Sequence, residues 1–391
     1  MAAALGKEVA LRVRAGGHLR RVCDYRTMST LDWTDIGARV RESRLAMRLS
    51  QEQLAELTGL DRTMVSKIEA GTRRLDALEL VRLARALDLP MSHFLNAPPA
   101  VMSHRPPLAE DTASPAAQVS YRMDVALAAW IREIRLLVSL GALELIPIKR
   151  YNGRVDGPAA AADAARWLRA ELDLGLAPIE SLAGLCERCG QFVLVTDLSG
   201  EGASAIDGDV AAAIVCISGD PGRRRTTAAH ELGHLILGDE YSTDLGVGTS
   251  REAREAVIDA FAAELLLPIE AIQRAAASTA LTRAELVRLA AEYRTSWSLA
   301  LRQARVANAI NQNAEKDLRT CPPTFAEFRD SLGWTPQPDL DEIRVSPIFA
   351  HAVMTAYKNG RITSHRALEL MHGQLESETD LPPVAETDER P

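Results

Sequence analysis

Aromatic residues are scarce, at 4% of the 391 residues. Ala, Leu and Arg abound instead, so helix should dominate. No apolar run approaches the roughly 18 residues of a membrane span, and residues 1–30 lack the apolar centre of a secretory leader. Cysteine is sparse too. Cys23, Cys186, Cys189, Cys216 and Cys321 are odd in number and thinly spread, which excludes a disulfide framework and fits a reducing cytoplasm. Positive charge is not in excess. The net charge of −8 argues against non-specific coating of nucleic acid, while leaving room for a basic face on one domain.

What is present is enough chain for two or three domains, since one core rarely grows beyond about 250–300 residues. The expected fold class is mainly α with a small β-sheet (α+β). Residues 1–30 read as a disordered arm and 31–96 as an all-α domain dense in Leu, Ala and charge. Residues 97–121 form a Pro-rich linker, 122–310 a second domain, 311–375 a small helical region, and 376–391 a disordered acidic tail. Within 122–310, helices are expected at 123–140, 159–172, 225–237 and 252–267, with two more across 281–310. Strands are expected at 192–196 and 212–218.

Residues 36–96 read as a string of short helices. Ser50 caps a helix over 51–57, Gly59 turns the chain, and Asp61 caps a second helix over 62–69. Leu54, Ala55, Leu60, Val65 and Ile68 fall on the inward face. Arg62, Thr63, Ser66 and Lys67 fall on the outward face, where they suit base edges and phosphates in a major groove. Gln51, at a helix N-terminus, suits a phosphate contact. The segment 36–95 holds ten Arg and Lys against eight Asp and Glu, so it is mildly positive in an acidic chain. The string SQEQLAELTGLDRTMVSKIEAG resembles the XRE-type helix-turn-helix family of phage repressors. That resemblance implies a double-stranded DNA operator, and operator symmetry implies a homodimer.

His230-Glu231-Leu232-Gly233-His234 places two imidazoles at i and i+4 on one helix face, about 6 Å apart. Both can ligate one Zn2+, with Glu231 beside the open position as a general base. A third ligand is needed, and the position that would carry a third His in the metzincin pattern is Glu240. A carboxylate on the next helix is the alternative. Glu255 and Asp259 share a face at i and i+4, with Glu255 as ligand and Asp259 accepting the far N–H of a ligating His. Glu252 competes with Glu255, while Asp239 and Glu240 lie too close along the chain to reach easily.

The strings RRRTTAAHELGHLILGD and EAREAVIDAFAAELLLP resemble the ImmA/IrrE metallopeptidases, and the likeness extends over 122–310. It implies a gluzincin-like fold and cleavage of a helix-turn-helix repressor, as in stress-response members of that family. The expectation is a cytoplasmic, non-membrane DNA-binding regulator with a zinc endopeptidase of narrow specificity. Its substrate would be a partner repressor or its own linker. A non-proteolytic regulator using the zinc fold as sensor or scaffold, or an antitoxin-like DNA-binding protein, is the alternative. Cys186 and Cys189 read as semi-buried thiols, Arg223, Arg224 and Arg225 as a solvated helix lead-in, and Tyr241 as a surface residue.

Overall fold

The computed structural model describes residues 32–96, 102–104, 115–238, 251–277, 281–333 and 339–383. The expected arm at 1–30 and Tyr241 lie outside them. Among the described residues, five helices come first: α1 (Trp33–Ala46), α2 (Gln51–Thr58), α3 (Arg62–Glu69), α4 (Ala77–Ala86) and α5 (Met91–Leu95). Ser50 and Gln53 form a reciprocal capping box at the start of α2. Gly59 ends α2 at φ 68°, a left-handed turn that a side chain would strain. Asp61 departs from expectation: it sits at the N-cap of α3 but its side chain makes no capping bond. Leu54, Ala55, Val65 and Ile68 are buried together with Phe94, and Leu60 packs against them half-buried.

The expected linker is shorter than its composition suggests. Met102–His104 forms strand β1, and helix α6 (Pro115–Ser139) begins within the segment assigned to the linker. Proline at a helix start costs no hydrogen bond, so Pro115 opens α6. Next come α7 (Pro158–Glu171), α8 (Leu182–Arg188), β2 (Gln191–Thr196), β3 (Gly202–Asp207) and β4 (Val210–Cys216). The sheet order is β1-β3-β4-β2, with β2 parallel to β4 and the other pairs antiparallel. Residues alternate across β4 as the pleat requires. Ala211, Ala213 and Val215 enter one core; Ala212, Ile214 and Cys216 enter another.

The first face is covered by α7, α8, α9 (Pro221–Leu237) and α10 (Arg251–Leu266), then α11 (Ile269–Ala275), α12 (Arg283–Glu292) and α13 (Trp297–Val306). Helices α14 (Gln312–Arg319) and α15 (Phe325–Leu332) follow. The second face is covered by α6, α16 (Pro347–Lys358) and α17 (Ser364–Leu370). Trp130 of α6 donates its indole N–H to the Phe192 carbonyl at 3.1 Å and packs on Phe349 of α16. The last helices therefore complete the second domain. Leu381 is buried against this core too, so the tail expected to be disordered from 376 is packed at least to that residue. Among the described residues, no helix is long and apolar enough to cross a membrane.

The start of α6 also meets the first domain. Val125 enters its core, and the Tyr121 hydroxyl lies 2.8 Å from Ser43 Oγ and 2.9 Å from His93 Nε2. Burial, helped by the charges of Arg132 and Arg39, pushes His93 down to about 4. Burial, with repulsion from Glu42 of α1, lifts the Asp124 carboxyl to about 7. The folded chain therefore keeps a proton on Asp124 that the unfolded chain has released, and stability is lost as pH rises from about 4 through 7. Asp124→Asn should raise the melting temperature at pH 8, by an effect of up to about 4 kcal/mol, and change it little at pH 4. Calorimetric melts at the two pH values check this, and an equal shift at both would contradict it.

Candidate metal centre and DNA-reading face

Helix α9 starts at Pro221 under an Asp220 cap and ends at Gly238, so the HELGH segment lies in its second half. The segment is buried: His230 is 0%, Glu231 1% and His234 6% exposed. Charged and imidazole groups at such depth need strong partners. Those partners come from α10, which can lie close because residue 233 is glycine. A Cβ there would stand 3.0 Å from both Ile258 Cγ2 and Phe261 Cδ1.

The close approach brings Glu255 and Asp259 to the imidazoles. His230 Nε2 lies 3.1 Å from His234 Nε2 and 3.1 Å from Glu255 Oε2. Candidate donor atoms of all three residues fall within 4.8 Å of one another. Tetrahedral zinc with bonds of about 2.0–2.1 Å separates its ligand atoms by about 3.3 Å. Two imidazole nitrogens and a carboxylate oxygen at these spacings fit that ion. His230 Nδ1 stands 2.9 Å from Asp259 Oδ1, so Asp259 accepts the N–H there and directs Nε2 toward the cluster. Glu252, the competing ligand, is exposed and outside this cluster.

Glu231 points toward the sheet. Its Oε2 accepts a hydrogen bond of 2.6 Å from Ser204 Oγ on β3, and Gln191 Nε2 donates to its backbone carbonyl at 3.2 Å. Ser204 was not singled out from sequence. Its strand, GASAID, lacks the continuous apolar run that marks β2 and β4. A cleft of about 690 Å3 opens beside the cluster, lined by Asp259, Thr226, Thr227, Arg223 and Arg302 among others. Arg302, also unforeseen, donates to the Asp259 carbonyl at 3.2 Å.

The three arginines at the start of α9 are not the solvated run expected. Arg223 is exposed and pairs with Glu201, but Arg224 and Arg225 are buried, and Arg225 pairs with Asp339. Cys186 and Cys189 are fully buried free thiols, raised by burial, Cys189 to about 12.

On α3, Arg62, Thr63, Ser66 and Lys67 are all exposed, while Val65 and Ile68 hold the helix to its core. Gln51 is half-buried, and its amide donates to Glu69 at 2.9 Å. Glu69 in turn accepts two hydrogen bonds from Arg44, at 2.5 and 3.0 Å. The Gln51 amide nitrogen is therefore committed to bracing α2 against α3.

A helix-turn-helix family model matches residues 40–94, and a peptidase-family model described as an IrrE N-terminal-like domain matches residues 186–304. A protein of Rhodospirillum rubrum, named as a transcriptional regulator in the ATPase CF(0) region, is 37% identical over 19% of this chain and 67% of its own length. This chain belongs to the helix-turn-helix transcriptional regulators and carries an IrrE N-terminal-like domain. An HTH-type transcriptional regulator of Sinorhizobium medicae is 34% identical to this regulator over 16% of the chain. That match spans 46% of the relative, so the chain covers about half the relative's length. The restriction-modification controller protein C.AhdI from Aeromonas hydrophila is 42% identical over 16% of this chain and 94% of its own, with a TM-score of 0.16.

Asp259→Asn in this regulator should weaken zinc affinity about 10–100-fold while His230, His234 and Glu255 remain in place. Competition against a chelating dye measures it. Unchanged affinity would mean that Asp259 does not orient His230.

Proposed function

We propose that this regulator reads DNA through α3 and is a zinc-dependent endopeptidase whose substrate is its own linker. The observation that carries the peptidase reading is the meeting of His230, His234 and Glu255, with Glu231 next to His230 on the same helix and with Asp259, the partner of His230, lining a cleft. A zinc ion held by the first three would acidify a water and polarise a peptide carbonyl. Glu231, positioned by Ser204, takes the proton of the attacking water and delivers it to the leaving amine. Asp259 holds the His230 ring in place throughout.

Support for a substrate in cis comes from β1. This piece of the linker pairs antiparallel with β3, Ser103 opposite Ser204, and Ser204 is the residue that holds Glu231. Extended peptides commonly bind by adding to a sheet edge, and neighbouring strands lie about 4.8 Å apart. The linker thus lies within one strand spacing of the residue bonded to the general base.

Two outcomes test the reading. Incubation of the zinc-loaded wild-type chain should give fragments cut within 97–119, at a rate independent of protein concentration. Glu231→Gln should bind zinc and stay intact. Mass spectrometry locates the cut, and identical behaviour of the two proteins would end the peptidase reading. A rate rising with concentration would point instead to cleavage between molecules.

For DNA, Lys67→Ala should weaken binding uniformly across sequences and lower the salt slope by about 1. Arg62→Ala should instead relax the choice of base. Titrations of operator and scrambled duplexes at several salt concentrations separate the two effects, and a Lys67→Ala protein with wild-type affinity would remove α3 from the interface.

A further inference from the structure

A second cavity lies on the far side of the α9 start from the metal cluster. It measures about 660 Å3, within the range of small-molecule sites. Its walls are mostly apolar: Trp297 of α13, Pro322 and Pro323, and Phe325 and Phe328 of α15. Phe325 is 60% exposed, unusual for a large apolar side chain that borders a concave surface.

The other end of the cavity is polar and positively charged. Arg225 lines it at 0% exposure, and its charge is answered by Asp339. Its Nη2 donates to the Ile179 carbonyl at 2.8 Å, yet its Nε has no acceptor among the described residues. The hydroxyl of Thr295, also in this wall, has no partner there either. Arg294 adds a second guanidinium. It donates to the Glu180 carbonyl at 3.0 Å, and among the described residues no carboxylate lies within ion-pair distance of it. The remaining charged lining groups are occupied elsewhere: Arg319 pairs with Glu315 at 2.6 Å, and Asp220 caps α9. The lining itself holds three arginines, Arg225, Arg294 and Arg319, against two aspartates, Asp220 and Asp339.

We infer that this cavity is an effector site for a small amphipathic carboxylic acid. Its apolar body lies against Trp297, Phe325 and Phe328, and its carboxylate meets the half-buried guanidinium of Arg294. The cavity shares Asp220, Ser296, Ser298 and Arg319 with the cleft beside the metal cluster. An occupant would thus press on a wall common to both. The site stands on its own lining and does not require that the metal cluster be catalytic.

Octanoate and 3-phenylpropanoate serve as probes, with 3-phenylpropanamide as the uncharged control. Calorimetry on the full chain should give one saturable site for at least one acid, with Kd at or below about 1 mM. The amide should bind at least about tenfold more weakly than its acid, and Arg294→Ala should weaken both acids by about tenfold or more. Phe325→Ala, a change at an exposed position, should weaken them too without lowering the melting temperature. Trp297 fluorescence should shift on binding in wild type, and the shift should vanish in Trp297→Phe. No saturable binding up to about 10 mM would overturn the inference, as would equal affinity for acid and amide, or binding that Arg294→Ala leaves unchanged.

Discussion

The distance between α9 and α10 sets what the second domain can do. Two imidazoles on one helix make half a metal site, and the other half must come from a neighbouring backbone close enough for a carboxylate to bridge. Gly233 permits that closeness, between the two histidines and directly against Ile258 and Phe261. The far side of α10 is held just as firmly. Glu264, buried there, accepts from Arg166 of α7 at 3.0 Å and caps the Ile269 amide at 3.1 Å, while Arg169 donates to the Leu265 carbonyl. A helix clamped on both sides cannot drift, and Glu255 and Asp259 inherit that rigidity.

Long-range polar ties do comparable work at the rear of the domain. Arg225 and Asp339, 114 positions apart, meet in the interior. Glu187 accepts from the Ile348 amide at 2.8 Å and from the Phe349 amide at 3.3 Å, serving the first turn of α16, and burial raises its carboxyl above the ordinary value. Such pairs add little net stability over apolar substitutes, because desolvation offsets the attraction. Removing one partner leaves a stranded charge, which makes the arrangement of α9, α8 and α16 hard to exchange for another.

Legibility in the sequence followed the range of the interaction. The caps of α2, the turn at Gly59 and the outward set on α3 are settled within a few residues, and periodicity displays them. The i, i+4 spacing of His230 with His234 and of Glu255 with Asp259 is equally local, so the site's composition could be read before its shape. Strand β3 is not legible because GASAID holds no continuous apolar run such as marks β2 and β4. Arg225 looked solvated because its partner lies beyond α15. Leu381 looked disordered because its acidic, Pro-containing surroundings outweigh one buried side chain. The prolines in 97–121 suggest a connection over the whole segment, but residues from Pro115 onward belong to α6, whose contacts only the folded chain supplies.

The docking of the first domain on the start of α6 has one more consequence. Tyr121 and Val125 lie on α6, after β1, so they remain with the second domain if the chain opens near β1. The two pieces would then be held by contact alone, at a local concentration no longer enforced by a tether. Scission would convert an intramolecular fit into a bimolecular complex with its own residence time. How long the DNA-reading half stayed in place would be decided by this small patch around Ser43, His93 and Tyr121, and not by the chemistry of the cut.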